Sequence, residues 1–118
     1  MIDPLIFFNH YQKEAVALAS YPDVGKNMVY PALGIAGEAG EVADKVKKFW
    51  RNNGITDGAQ ITEGQKEALV KELGDVLWYI AALGKEIGVS LSDIASANIA
   101  KLTDRTARGV INSEGDNR

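Results

Sequence analysis

Two stretches of this chain carry the same apolar stripe, and that repetition limits the fold more than any other feature. Ile35, Ala39, Val42, Val46 and Phe49 recur at spacings of three and four, as do Leu69, Leu73, Val76, Ile80 and Leu83. This spacing lines one face of an α-helix. A shift of 34 positions lays Ile35 on Leu69, Ala39 on Leu73, Val42 on Val76 and Val46 on Ile80. The acids keep the same register, Glu38 falling on Glu72 and Glu41 on Asp75, with Gly40 on Gly74. Residues three apart on a helix are surface neighbours, so each helix carries two carboxylates beside its stripe. Packed by their stripes, the two helices can aim all four acids into one groove. No stretch alternates with period two for long enough to suggest a sheet.

Start and stop signals predict four helices. Asp3 is a good N-cap and Pro4 suits the first helical position, so the first helix runs from there to near Ser20. Leu5, Phe8, Val16 and Ala19 share one side of it, with Gln12 in the middle of that side and Asn9 at its edge. The second helix opens at Tyr30-Pro31 and runs to about Arg51, where Asn53-Gly54 stops it. A polar loop, 53–61, follows. Thr62-Glu63-Gly64-Gln65 is a capping-box pattern that starts the third helix, which ends near Ile87 before Gly88. Ser90 caps the fourth, whose stripe holds Leu91, Ala95 and Leu102 and which ends near Arg105. Four helices with short connections make an all-α four-helix bundle. The expected domain is residues 1–109, with 110–118 a loose polar tail.

Composition excludes several functions. A net charge of −3 gives no basic surface for nucleic acid. With no cysteine, a disulfide framework, a zinc-thiolate site and a thiol nucleophile are excluded. The opening MIDPLIFF lacks the basic region of a signal peptide, and the longest apolar run, 76–84, is far short of the ~20 residues that span a bilayer. These features lead to the expectation of a cytoplasmic protein with no membrane partner.

The ordinary reading of the acids is a solvated helix face, with Glu41–Lys45 and Lys71–Asp75 as surface pairs. Their matched phase argues for a cluster that needs a cation. Gly34, Gly37 and Gly40 add to this, since glycine inside a helix costs about 1 kcal/mol against alanine. Their recurrence points to close helix approach or a crowding ligand. No Glu-x-x-His motif is present to suggest a diiron site. An all-oxygen set favours Mg²⁺, with Mn²⁺ as the alternative, and carboxylate-held Mg²⁺ usually serves substrate phosphates. Asn98, Lys101, Arg105 and Arg108 are the candidate phosphate donors, or else a core amide and cations that complement the helix dipole. Gln12 can read a base edge or be satisfied within the bundle. Trp50 and Tyr79 can stack on a base or join a core or an interface. Phe7 and Trp78 point away from their stripes, which suggests a partner surface. GIAGEAG is not a dinucleotide fingerprint, Gly25-Lys26 lacks the rest of a P-loop, and no catalytic triad is evident.

The stretch from Leu33 to Val42, with its Glu38-x-x-Glu41 word, and the stretch from Glu72 to Tyr79, with its Glu72-x-x-Asp75 word, resemble the MazG-like nucleotide pyrophosphohydrolases. These belong to the all-α nucleoside triphosphate pyrophosphatase superfamily. The resemblance runs from about Tyr11 to Gly109, and the segment from Asn98 to Leu102 looks like the family's fourth helix. The thirty-residue gap between the acidic words (42–71) is long for the family, which makes 53–61 an insertion expected near the site.

The resemblance implies Mg²⁺-dependent hydrolysis of a nucleoside triphosphate to the monophosphate and pyrophosphate. It implies metal binding by Glu38, Glu41, Glu72 and Asp75, with Glu38 or Glu41 orienting the water. It gives Asn98 and Lys101 the phosphates or sugar, and Gln12 a part in choosing the base. It also implies a homodimer or a dimer of dimers sharing the pocket. Relatives on this fold include dimeric dUTPases, dCTP pyrophosphatases and phosphoribosyl-ATP pyrophosphohydrolase. Phosphoribosyl-ATP hydrolysis is thus the first alternative. A non-catalytic helical oligomerisation or nucleotide-binding module is the second.

Overall fold

The computed structural model describes residues 4–109, all-α with no strand among them. Helix α1 spans Pro4–Val16, α2 Val29–Asn53, α3 Glu63–Glu86 and α4 Leu91–Arg108, with a 3-10 turn at Gly58–Gln60. The expected Asp3 cap and the 110–118 tail lie outside the described residues. Among the described residues, no helix is long and apolar enough to cross a membrane.

Local chemistry sets the helix ends. The capping box at α3 forms as its sequence pattern suggests: Gln65 N–H donates to Thr62 Oγ1 at 3.1 Å, and Thr62 N–H donates to Gln65 Oε1 at 2.9 Å. At α2, Asn27 Oδ1 accepts from Tyr30 N–H at 3.2 Å, and Pro31 sits in the first turn, where its missing N–H costs nothing. Helix α4 ends at Arg108, three residues past the expected Arg105, capped by Gly109 in the left-handed region (φ 71°). Nothing between them stops a helix, and glycine takes that conformation without strain.

Helix α1 stops at Val16, short of the expected Ser20, because a tryptophan intervenes. The Trp78 indole N–H donates to the Ala15 carbonyl at 2.9 Å. In a continuing helix Ala19 N–H would take that carbonyl. It turns instead to Val16 O at 3.0 Å. Trp78 is thus used inside the chain rather than on a partner surface, whereas Phe7 is exposed.

Helix α3 is the axis of the fold. Helices α1 and α4 pack on α3 and on each other, while α2 packs on α3 alone. The bundle is therefore open on the α2 side. Its tightest core lies where α1, α3 and α4 cross, and there Ala15, Ala81, Ala82 and Leu91 are buried. Two polar residues of α1 organise that crossing. Gln12 Nε2 donates to the carbonyls of Ala81 (3.1 Å) and Val89 (3.2 Å), and its Oε1 accepts from Leu91 N–H at 3.1 Å. Asn9 Oδ1 accepts from Ser92 N–H and Ser90 Oγ from Asp93 N–H, each at 3.1 Å. Three successive N–H groups of the first α4 turn, which have no partner within the helix, are satisfied in this way.

The stripes of α2 and α3 meet along a shallow seam, leaving Val46 45% and Leu73 50% exposed. Of the glycines expected to permit close approach, Gly34 does so, because a methyl group there would overlap the Tyr79 ring. Gly37, Gly40 and Gly74 face open space within this chain. The 54–61 connection folds back so that Ile55 and Ile61 share a small cavity with Val46, Phe49 and Leu69. The loop begins at Gly54, sixteen residues past Glu38 in an α-helical run, or about 24 Å along the axis. It stands far from Glu38 along α2, but its isoleucines come against Leu69, one turn before Glu72.

Candidate metal centre

The α2–α3 seam brings the acids together. One carboxylate oxygen each from Glu38, Glu72 and Asp75 lies within 4.8 Å of the others. Each side chain arrives for a local reason, since Glu38 borders the α2 stripe and Glu72 borders the α3 stripe one residue from Leu73. Glu38 is half-buried, and its carboxyl is held above the usual range. Partial burial is the largest cause, followed by the charges of Asp75, Glu72 and Glu41 and a hydrogen bond with Glu72. Glu41 is exposed and lies outside the close group, acting on it through its charge. The cation reaching the group is Lys45, whose Nζ lies 3.6 Å from Glu72 Oε1. Lys45 thus crosses the seam instead of forming the expected surface pair with Glu41.

One lysine does not balance this much negative charge, which adds to the burial that raises the Glu38 carboxyl. The set is all oxygen and compact, which fits a hard divalent cation. Glu38, Glu72 and Asp75 would hold it.

Two tyrosines flank the acids. Tyr79 follows Asp75 by one turn and covers Gly34, which precedes Glu38 by one turn. Burial, then Tyr30, Glu38 and Asp75, raise its phenol pKa. Tyr11 of α1 is also raised, first by burial and then by the Asp75 charge. Tyr11 escaped the sequence reading because nothing in its spacing shows that α1 crosses α3 beside Asp75.

The other expected site residues are scattered. Gln12 is buried with both amide N–H donors engaged, so it is a structural tie and not a reader of the base. Trp50 is exposed, but twelve helical residues, about 18 Å, separate it from Glu38. Asn98 and Lys101 are exposed on α4, a helix that does not touch α2. Arg105 is only 3% exposed and belongs to the interior of the fold rather than to an open phosphate site.

Comparison with known proteins gives the family. The family described as "MazG nucleotide pyrophosphohydrolase domain" matches residues 31–110. The chain belongs to the MazG family. The matched region holds α2 from Pro31 onward, α3 and α4, and with them all four acids. Over 113 residues the chain is 43% identical to the Gene 37 protein of Mycobacterium phage L5, covering 92% of this chain and 96% of that protein. Over 69 residues it is 39% identical to Uncharacterized protein YvdC of Bacillus subtilis (strain 168), covering 58% of this chain and 65% of that one. No solved structure matches. The MazG family is one of nucleotide pyrophosphohydrolases.

Proposed function

We propose that this MazG protein hydrolyses a nucleoside triphosphate to the monophosphate and pyrophosphate, using Mg²⁺ or, in its place, Mn²⁺. The observation carrying this reading is the group of three carboxylates from two helices within 4.8 Å. When bound, the ion neutralises charge on the triphosphate oxygens as it builds at the α-phosphorus. The chain supplies the remaining functions. Glu38, Glu72 and Asp75 hold the ion, with Glu41 completing the charge at the rim. Glu38 or Glu41 orients a water and takes its proton. The water oxygen joins the α-phosphorus, the bond to the bridging oxygen breaks, and pyrophosphate leaves. Tyr11, beside Asp75, can donate a hydrogen bond to a phosphate oxygen.

The other phosphate donors come from a second copy of the chain in this reading. Asn98 and Lys101 lie on a helix that does not reach α2 within one chain, and Leu33, Ile99 and Phe7 are each more than half exposed. A homodimer that covers those side chains brings α4 of one copy to the acids of the other. The test of function is a screen of common and damaged nucleoside triphosphates and phosphoribosyl-ATP, reading pyrophosphate with and without Mg²⁺. Release that requires Mg²⁺ supports the reading, and no release from any substrate refutes it. Light scattering tests the assembly, and a monomer at micromolar concentration refutes it.

A further inference from the structure

Glu86 lies near the end of α3, eleven residues beyond Asp75, yet its carboxylate has a full set of partners. It accepts from the Tyr21 hydroxyl, from Gly25 N–H at 2.7 Å and from Asn27 N–H at 3.0 Å. All three donors belong to the connection between α1 and α2, so a single side chain ties the middle of that loop to its α2 end. Tyr21 is then in place to stack on Tyr30, with centroids 5.1 Å apart and planes 9° from parallel. Tyr30 stands 6.4 Å from Tyr79, the ring that covers Gly34 beside the acids.

Together these groups line a cavity of about 330 Å³, bounded by Leu18, Tyr21, Tyr30, Trp78 and Tyr79. That volume is at the small end of ligand pockets. Two of its rings have their polar ends engaged, Tyr21 on Glu86 and Trp78 on the Ala15 carbonyl. Its lining is more polar than apolar and includes Ser20 and Pro22 beside the rings, among which Tyr30 is 43% exposed. Such a wall suits a planar heterocycle, because every nucleobase has a π-face to stack.

We propose that Glu86 is a positioning residue, fastening the loop so that Tyr30 and Tyr79 form the wall on which the nucleoside of the substrate rests. This rests on the reading of the seam as a nucleotide pyrophosphohydrolase centre. Tyr79 is the hinge between the two subsites, with phosphates at the carboxylates on one side and the base against the rings on the other.

The experiment compares wild type, Glu86→Gln and Tyr30→Leu, using the nucleoside triphosphate that the screen finds best. Steady-state pyrophosphate release gives KM and kcat, and electron paramagnetic resonance of Mn²⁺ alone gives metal affinity. Glutamine at 86 turns an amide N–H₂ toward the loop's own N–H donors, and leucine at 30 removes the stacking face. The expected result is a KM raised about tenfold in both variants. The loss falls on KM rather than kcat, as for binding shared by ground and transition states, and Mn²⁺ affinity is unchanged. A merely structural defect would instead lower the active fraction, and with it kcat. Unchanged KM in folded variants of an active enzyme overturns the proposal. If Glu86→Gln fails to fold by circular dichroism, Tyr30→Leu decides alone, and an unaltered KM there is equally fatal. A wild type that binds Mn²⁺ but releases no pyrophosphate defeats the functional reading itself, and this proposal with it.

Discussion

Replacing Gln12 by leucine separates a structural tie from a base reader. Leucine keeps most of the volume and removes only the amide. Three hydrogen bonds go with it, to Ala81 O, Val89 O and from Leu91 N–H. At about 1 kcal/mol net for each, the loss is about 3 kcal/mol. The crossing is buried, so the partners left behind do not regain water freely, which pushes the figure upward. Domains of this size hold roughly 5–15 kcal/mol in total. In urea, with a slope of about 1.5 kcal/mol per molar, the midpoint should fall by about 2 M. Protein and metal concentrations must match, because assembly and ligands shift apparent stability. At temperatures where the variant stays folded, its ranking of bases should equal that of wild type. An unchanged urea midpoint with an altered base ranking would refute the argument.

Other substitutions probe the seam and the loop. In metal-free protein, the raised Glu38 carboxyl contributes stability below its ordinary value of 4.5 and loses that contribution as pH rises through its folded value. Glu38→Gln should therefore melt higher than wild type at neutral pH in chelator. It should also lack the stabilisation that Mg²⁺ gives wild type, about 2.7 kcal/mol at a hundredfold excess over Kd. A Mg²⁺-independent wild-type melting temperature would count against the centre. Gly34→Ala should destabilise by about 1–3 kcal/mol through overpacking against Tyr79. Gly37→Ala has space around it and should gain up to about 1 kcal/mol of helix propensity; equal melting temperatures for the two would contradict the seam geometry. Glu86 is held below its usual value by the Tyr21 hydroxyl first, then by the loop N–H groups, while burial first and the Glu86 contact second push Tyr21 up to about 12. Its contribution is present above pH 4.5 and is lost as pH falls through the lower folded value. Acid titration followed by tyrosine fluorescence should show loop release in wild type that is absent in Glu86→Gln.

Signals written in a few adjacent residues were legible in the sequence. Thr62 with Gln65, Ser90 with Asp93, and Gly54 announced helix ends that the fold keeps. The two acidic words were legible because helical periodicity fixes their phase, and three of their four carboxylates meet. Features that depend on contacts far apart in sequence were not. Whether Gln12 faces a ligand or the α3–α4 corner depends on residues 69 to 79 positions away. Lys45 found Glu72 on the neighbouring helix because the crossing of α2 and α3, not sequence spacing, sets its nearest acid. Arg105 looked like a surface cation, as arginine usually is, and only packing shows it buried.

Helix α2, 25 residues and so about 37 Å long, leans on a single neighbour. Such an arm opens more readily than a helix gripped from two sides, and its amides should exchange with solvent ahead of those in α3. The carboxylates straddle the line along which it opens. A cation drawn between Glu38 and Asp75 would slow that exchange, and one released would quicken it. Occupancy of the site can therefore be read as a rate along the whole of α2, without any substrate present.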